Sequence, residues 1–131
     1  MSRPRIVILA QDLIWSDRLA RAADAAGAEP VRAKTPPELD RALVCADHAI
    51  VDLAASAAYD PIAMVARATA AGARVMGVGP HDDVELRKRA ITAGAEKVLA
   101  YRKLFEDGPG TIGRWLGPGA ESPRAAGGAA R

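Results

Sequence analysis

The tripeptide Ala-Gly-Ala occurs three times, at Ala26 to Ala28, Ala71 to Ala73 and Ala93 to Ala95. Each copy closes a helix-like stretch just ahead of a short run suited to a strand. Glycine supplies the positive-φ residue that ends a helix, and the chain turns at once into extended structure. A chain punctuated in this way alternates helices and strands through short connections. That alternation predicts a parallel sheet covered by helices on both faces. The device is a shared structural solution and not a sequence repeat.

Apolar spacing places strands at Arg5 to Ala10, Pro30 to Ala33, Ala49 to Leu53, Arg74 to Gly79 and Lys97 to Ala100. The second carries Pro30 and Arg32, which suits a sheet edge. Helices are predicted from about Ser16 to Ala26, from an N-cap at Thr35 to about Cys45, and from Asp60-Pro61 to Ala71. A fourth starts at Asp82-Asp83-Val84-Glu85 and ends at Gly94. A fifth, starting at Lys103-Leu104-Phe105-Glu106, is predicted to break at Gly108-Pro109-Gly110. A short turn over Thr111 to Leu116 then follows. The domain is expected to span residues 1–116, with residues 117–131, mostly Gly, Pro, Ala, Ser and Arg, as a flexible tail.

The 131 residues suit one domain, and with half of them apolar a packed core is feasible. Aromatic residues make up only 4%, so that core must come from Val, Ile, Leu, Met and Ala. A net charge of +2 is too small to argue for a nucleic-acid partner. Cys45, the single cysteine, reads as a small apolar residue near a helix end. The basic start, Met1 to Arg5, precedes an apolar run too short for a signal peptide or a membrane span. A cytoplasmic location without a membrane partner is therefore expected.

Two of the strands end in acids. Ile6 to Ala10 runs into Gln11-Asp12, and Ala49 to Val51 runs into Asp52. In open α/β sheets the carboxyl edge of the strands is where ligands and chemistry gather. One acidic pocket at that edge is expected. Asp12 and Asp52 would repel each other there unless a cation or a proton joined them.

This order and spacing, over residues 5–105, resembles the receiver domains of two-component response regulators, which are bacterial signalling modules. The resemblance implies a flavodoxin-like, doubly wound sheet with strand order 2-1-3-4-5. It also implies a set of functional positions. Asp52 matches the phosphoacceptor, and Asp12 matches one of two acids that hold Mg²⁺. Gln11 falls on the second, and an amide is a weaker, neutral ligand. Gly79 falls near a Thr or Ser position and has no hydroxyl. Tyr101 falls on the position of a lysine, with Arg102 next to it, and the usual Lys-Pro pair is absent. Phosphoryl transfer to a carboxylate needs a cation to neutralise converging charge, together with fixed donors for the new oxygens. Only two of five functional positions are kept. The expectation is a pseudo-receiver: a non-catalytic signalling or protein-interaction module, not controlled by ordinary Asp phosphorylation, with no cofactor beyond weak Mg²⁺ binding at Asp12 and Asp52. The alternatives are a working receiver phosphorylated on Asp52 with Mg²⁺, Arg102 standing in for the lysine, and a small-molecule sensor using a pocket of Gln11, Gly79, Tyr101 and Arg102. A protein partner or a second copy is expected at the face of the fourth helix, fifth strand and fifth helix, through Arg87, Arg89, Tyr101 and Arg102. The bland reading of Arg87-Lys88-Arg89 is a solvated helix face.

Other chemistries lack support. His81-Asp82-Asp83 has poor metal-ligand spacing, and capping of the fourth helix by Asp82 with Glu85 accounts for it better. His48 reads as a surface residue. Gly77-Val78-Gly79-Pro80 lacks the last glycine of a dinucleotide fingerprint and follows the wrong strand. There is no P-loop, and no nucleophile elbow with His and acid partners. Trp15, close to Asp12, is expected to anchor the first helix rather than cover the pocket.

Overall fold

The computed structural model describes residues 3–54 and 56–117. The tail expected over 117–131 lies, apart from Gly117, outside the described residues. The elements run β1 (Arg5–Leu9), α1 (Leu13–Ala25), β2 (Glu29–Ala33), α2 (Pro36–Leu43), β3 (His48–Asp52), α3 (Pro61–Ala70), β4 (Arg74–Gly79), α4 (Val84–Ala93), β5 (Lys97–Ala100) and α5 (Tyr101–Leu116). Strand order is β2-β1-β3-β4-β5, every neighbouring pair being parallel. The doubly wound sheet that the alternation predicts is the one formed, with the proline-bearing β2 at an edge.

Period-two alternation divides the core. Along β1, Ile6 and Ile8 face α1 and α5, where they meet Leu19, Ala23, Leu104, Ile112 and Trp115. Val7 and Leu9 face the other layer, with Leu39 of α2, Val65 of α3 and Ala90 of α4. A central strand buried on both faces must be apolar at every position, and β1 is. The small side chains Ala20, Ala22 and Ala23 let α1 pack closely in its layer.

Local boundaries depart from the sequence expectations where a side chain caps. α1 begins at Leu13, not Ser16, because Asp12 Oδ1 accepts the backbone N–H groups of Ile14 (2.8 Å) and Trp15 (3.1 Å). Asp83, not Asp82, caps α4, accepting from Leu86 N at 3.0 Å. Thr35 and Asp60 cap α2 and α3 as expected, with proline in the first turn of each. α2 stops at Leu43, and Cys45 beyond it is exposed rather than packed as an apolar residue.

α5 holds the largest difference. It starts at Tyr101, directly after β5, and runs to Leu116 with a kink at Asp107 (φ −153°, ψ 70°). The predicted break is present, but it also restarts the helix. Asp107 Oδ1 accepts the Gly110 N–H at 3.0 Å, and Pro109 sits where its missing N–H leaves no helical bond unmade. The second piece carries Trp115 to the amino end of the sheet. There Arg74 binds Glu96 through two nitrogens at 3.0–3.1 Å and donates to the Trp115 carbonyl at 3.0 Å. The Trp115 indole N–H donates to Glu96 at 3.0 Å, and His48 lies edge-on to the indole at 5.1 Å. His48 is thus covered by α5 instead of standing free at the surface. Arg74 also holds the Glu96 carboxyl below its usual range.

Gly108 is buried where α5 presses on α1, and a Cβ there would lie 2.9 Å from Ala22 Cβ. Gly108→Ala is expected to destabilise the fold by about 1–3 kcal/mol in urea unfolding, through overpacking against α1. Ala22→Gly in the same protein should restore part of that loss. A neutral Gly108→Ala would show that the helix crossing has slack.

Candidate functional site

The carboxyl edge of the sheet carries the site. β3 ends in Asp52, which is 2% exposed although it is an acid. β3 is flanked by β1 and β4, so the register leaves Asp52 opposite Val78, and the next residue, Leu53, still donates its N–H to Val78 O at 2.8 Å. The carboxylate is therefore held on a rigid strand end. A buried carboxylate is costly unless it is given donors. Two are present. Oδ1 accepts the Ala54 N–H at 3.1 Å, and it accepts the Tyr101 hydroxyl in a short hydrogen bond.

Tyr101 comes from the first turn of α5, and it reaches Asp52 because α5 starts immediately at the end of β5, one strand beyond β4. Its ring stacks on Trp15 of α1, with centroids 4.6 Å apart and planes tilted by 36°. Trp15 thus does more than anchor α1: it backs the residue that touches the acid. Tyr59 adds a second phenol below the acid. Its hydroxyl donates to the Asp52 carbonyl at 2.9 Å and lies 3.4 Å from the Leu9 carbonyl, tying β3 to β1.

A small cleft of about 240 Å³ opens between Gln11, Asp12, Asp52, Ala54, Ser56 and Tyr59. Ser56 Oγ donates to Gln11 Oε1 and accepts the Ala58 N–H at 3.0 Å. Gln11, Asp12 and Asp52 are therefore brought together as the strand endings suggest. Two other expected members of the pocket are not. Arg102 is exposed and pairs with Glu106 at 3.1 Å, one helical turn on, so it does not substitute for a lysine at Asp52. Gly79 backs onto the opposite layer: a Cβ there would meet Leu53 Cβ at 3.4 Å and Leu86 Cδ2 at 3.9 Å. Arg87 and Arg89 are exposed on α4, whereas Tyr101 turns inward to Asp52.

Burial pushes the Asp52 carboxyl above the ordinary carboxylate range. The Tyr101 hydroxyl and the Ala54 N–H act in the opposite sense, and the charge of Asp12 adds to the rise. Burial also raises both phenols, and Asp52 raises them further, so Tyr101 and Tyr59 remain neutral donors. One oxygen of Asp12 is committed to the start of α1, one of Asp52 to Tyr101 and Ala54, and the Gln11 amide oxygen to Ser56, which leaves the second oxygen of each carboxylate to meet a cation such as Mg²⁺. Among the described residues no three His, Cys, Asp or Glu side chains converge as a metal site. No helix among them is long and apolar enough to cross a membrane.

Tyr59 and Ser56 escape a reading of the sequence. Neither sits in a motif, and each acts through a contact that exists only once the loop after β3 folds back over the strand ends.

Neither a family profile nor a curated protein sequence matches the chain. Solved structures do. The signal receiver domain of a DNA-binding response regulator from Colwellia psychrerythraea superposes with a TM-score of 0.72 at 19% identity, covering 86% of this chain and 98% of that one. A CheY-like response regulator receiver domain protein from Methanospirillum hungatei gives 0.66 at 20% identity, covering 80% and 90%. A putative pilus assembly-related protein from Burkholderia pseudomallei gives 0.67 at 17% identity, covering 87% of each chain. What is shared at these identities is the fold, and it is the receiver fold.

A raised Asp52 pKa has a defined sign in stability. The folded protein then binds this proton more tightly than the unfolded chain, so the contribution of Asp52 is full below the unfolded pKa and declines as pH rises through the folded value. Asp52→Asn has no proton to lose. Urea unfolding across acid to neutral pH should show wild type losing stability relative to Asp52→Asn as pH rises. A difference that stays flat, or moves the other way, contradicts the raised pKa.

Proposed function

We propose that this chain is a non-catalytic receiver-like signalling or protein-interaction module whose Asp52 is not switched by ordinary aspartyl phosphorylation. The observation that carries this reading is the hydrogen bond from the Tyr101 hydroxyl to the Asp52 carboxylate. Phosphoryl transfer to that carboxylate needs fixed cationic groups to neutralise the converging charge. Here Oδ1 is held by a neutral phenol, and the residue that falls on the lysine position brings no charge to the acid. Its neighbours are engaged as well: Asp12 caps α1 and Gln11 is held by Ser56. A phenol also cannot neutralise a phosphoryl group as an ammonium would.

Output in this reading passes through protein contact in the cytoplasm, and Arg87, Arg89 and Arg102, exposed on α4 and α5, are the proposed contact residues. Charge reversal of Arg87 and Arg89 together should weaken self-association or partner capture by about tenfold, as expected for groups that steer and orient a contact. Unchanged sedimentation and unchanged capture would remove this face from consideration.

The phosphorylation question has a direct test. Trp15 stacks on Tyr101, so its fluorescence reports on anything that displaces the phenol. Titration with Mg²⁺ and then beryllofluoride, checked by calorimetry and run beside an ordinary receiver, should give no saturable response. A saturable response abolished by Asp52→Asn would instead make this a working receiver.

A further inference from the structure

The contact at Asp52 does not end at Tyr101. Helices α1 and α5 pack in one layer, and two rungs join them along one side. The first is the Trp15–Tyr101 stack, with ring centroids 4.6 Å apart. The second is Arg18, whose guanidinium carbon lies 4.6 Å from the Phe105 ring centroid and 5.4 Å from that of Trp15. Trp15 and Arg18 are one turn apart on α1, and Tyr101 and Phe105 are one turn apart on α5, so the four side chains interleave. Among the described residues no carboxylate lies within 4.0 Å of Arg18, so ring contact is what positions it. The series starts at a carboxylate that is 2% exposed and ends at a phenylalanine that is 64% exposed.

That phenylalanine borders a depression of about 770 Å³ lying between α1 and α5. Leu13 and Ile14, 64% and 69% exposed, stand on its α1 side, next to Trp15 in the same first turn. That turn is held by Asp12, so residues that shape the groove and a residue that backs Tyr101 share one cap.

We propose that Tyr101, Trp15, Arg18 and Phe105 form a linkage that carries the hydrogen-bonded state of Asp52 to the groove between α1 and α5. It rests on the reading that Tyr101 caps Asp52. With the phenol seated, its ring supports Trp15, and Trp15 and Phe105 together hold Arg18 across the edge of the groove. With the phenol released, the stack loses its fixed end, Arg18 loses one of its two rings, and Phe105 becomes free to change its place at the groove wall. Coupling of this kind is reciprocal: whatever grips the Phe105 side of the groove must alter how firmly Tyr101 holds Asp52. The receiver fold would thus keep a route from its buried acid to its surface without a phosphoryl group.

The test uses the full chain and nuclear magnetic resonance of the Ala54 amide, the Ile14 methyl and the Phe105 ring. Tyr101→Phe removes the hydroxyl and keeps the ring. Asp52→Asn weakens the same contact from the other side and serves if the first variant does not fold. Both should move the Ala54 amide, which reports the contact itself, and both should also move Phe105 and Ile14. When either change is made in an Arg18→Gln or a Trp15→Leu protein, the displacement at Phe105 should shrink by about fourfold or more, the signature of a coupled pair in a double-mutant cycle. The linkage is overturned if Phe105 and Ile14 stay in place while Ala54 moves, or if their displacement keeps its full size in both insulating backgrounds. Failure of Ala54 to move would overturn the capping of Asp52 by Tyr101, and the linkage with it. No phosphoryl mimic is used, so the linkage can fail while the reading of Asp52 as unphosphorylated stands.

Discussion

A carboxylate placed at the end of a strand buried on both faces must be given hydrogen-bond donors, and the upper edge of this sheet is arranged around that demand. Asp52 receives the Ala54 N–H from its own loop and the Tyr101 hydroxyl from α5, while Tyr59 ties its carbonyl to the neighbouring strand. The burial that raises its pKa also makes these donors hard to remove, because an unpartnered buried acid costs more than the hydrogen bond itself contributes. Tyr101 in turn needs a wall, and Trp15 is that wall. Asp52 therefore joins the loop after β3 to the start of α5 directly and, through the Tyr101–Trp15 stack, to the first turn of α1.

Two of the acids that the strand endings bring together have different duties. Asp12 spends an oxygen on the N–H groups at the start of α1, where its charge also meets the positive end of the helix. Asp52 spends one on a phenol. A pair of acids read as metal ligands can thus each give one oxygen to the fold's own donors. The likeness to the two receiver domains compared, at 19% and 20% identity, concerns the arrangement of strands and helices and leaves this local chemistry to the chain's own residues.

The opposite end of the sheet follows the same economy of polar groups. Arg74 is shared between Glu96 and the Trp115 carbonyl, and the indole returns a hydrogen bond to Glu96. This closes α5 onto β4 and the start of β5. α5 is thereby tied at both ends, by Tyr101 above and Trp115 below, and its kink at Asp107 lets each half satisfy its own anchor.

Much of this was legible in the chain itself. Runs of alternating and continuous apolar residues, Thr35 and Asp60 ahead of prolines, and the Ala-Gly-Ala stops are local signals, and local signals suffice for strands, helices and a parallel sheet, while the order 2-1-3-4-5 came from the resemblance to receiver domains. The acids at the ends of β1 and β3 were legible too, because they close apolar runs. What the sequence could not determine is what those acids touch. Tyr101 lies 49 residues from Asp52, and Arg102, its chain neighbour, was the residue expected to stand in for a lysine there in a working receiver, but the rotation of α5 sends Tyr101 inward and Arg102 to Glu106. Asp12 looks the same in sequence whether it faces a cation or caps a helix. Periodicity is a property of neighbours along the chain, so sequence decided the elements. The choice of a hydrogen-bond partner depends on burial and on angles between distant elements, so only the tertiary structure decided the site.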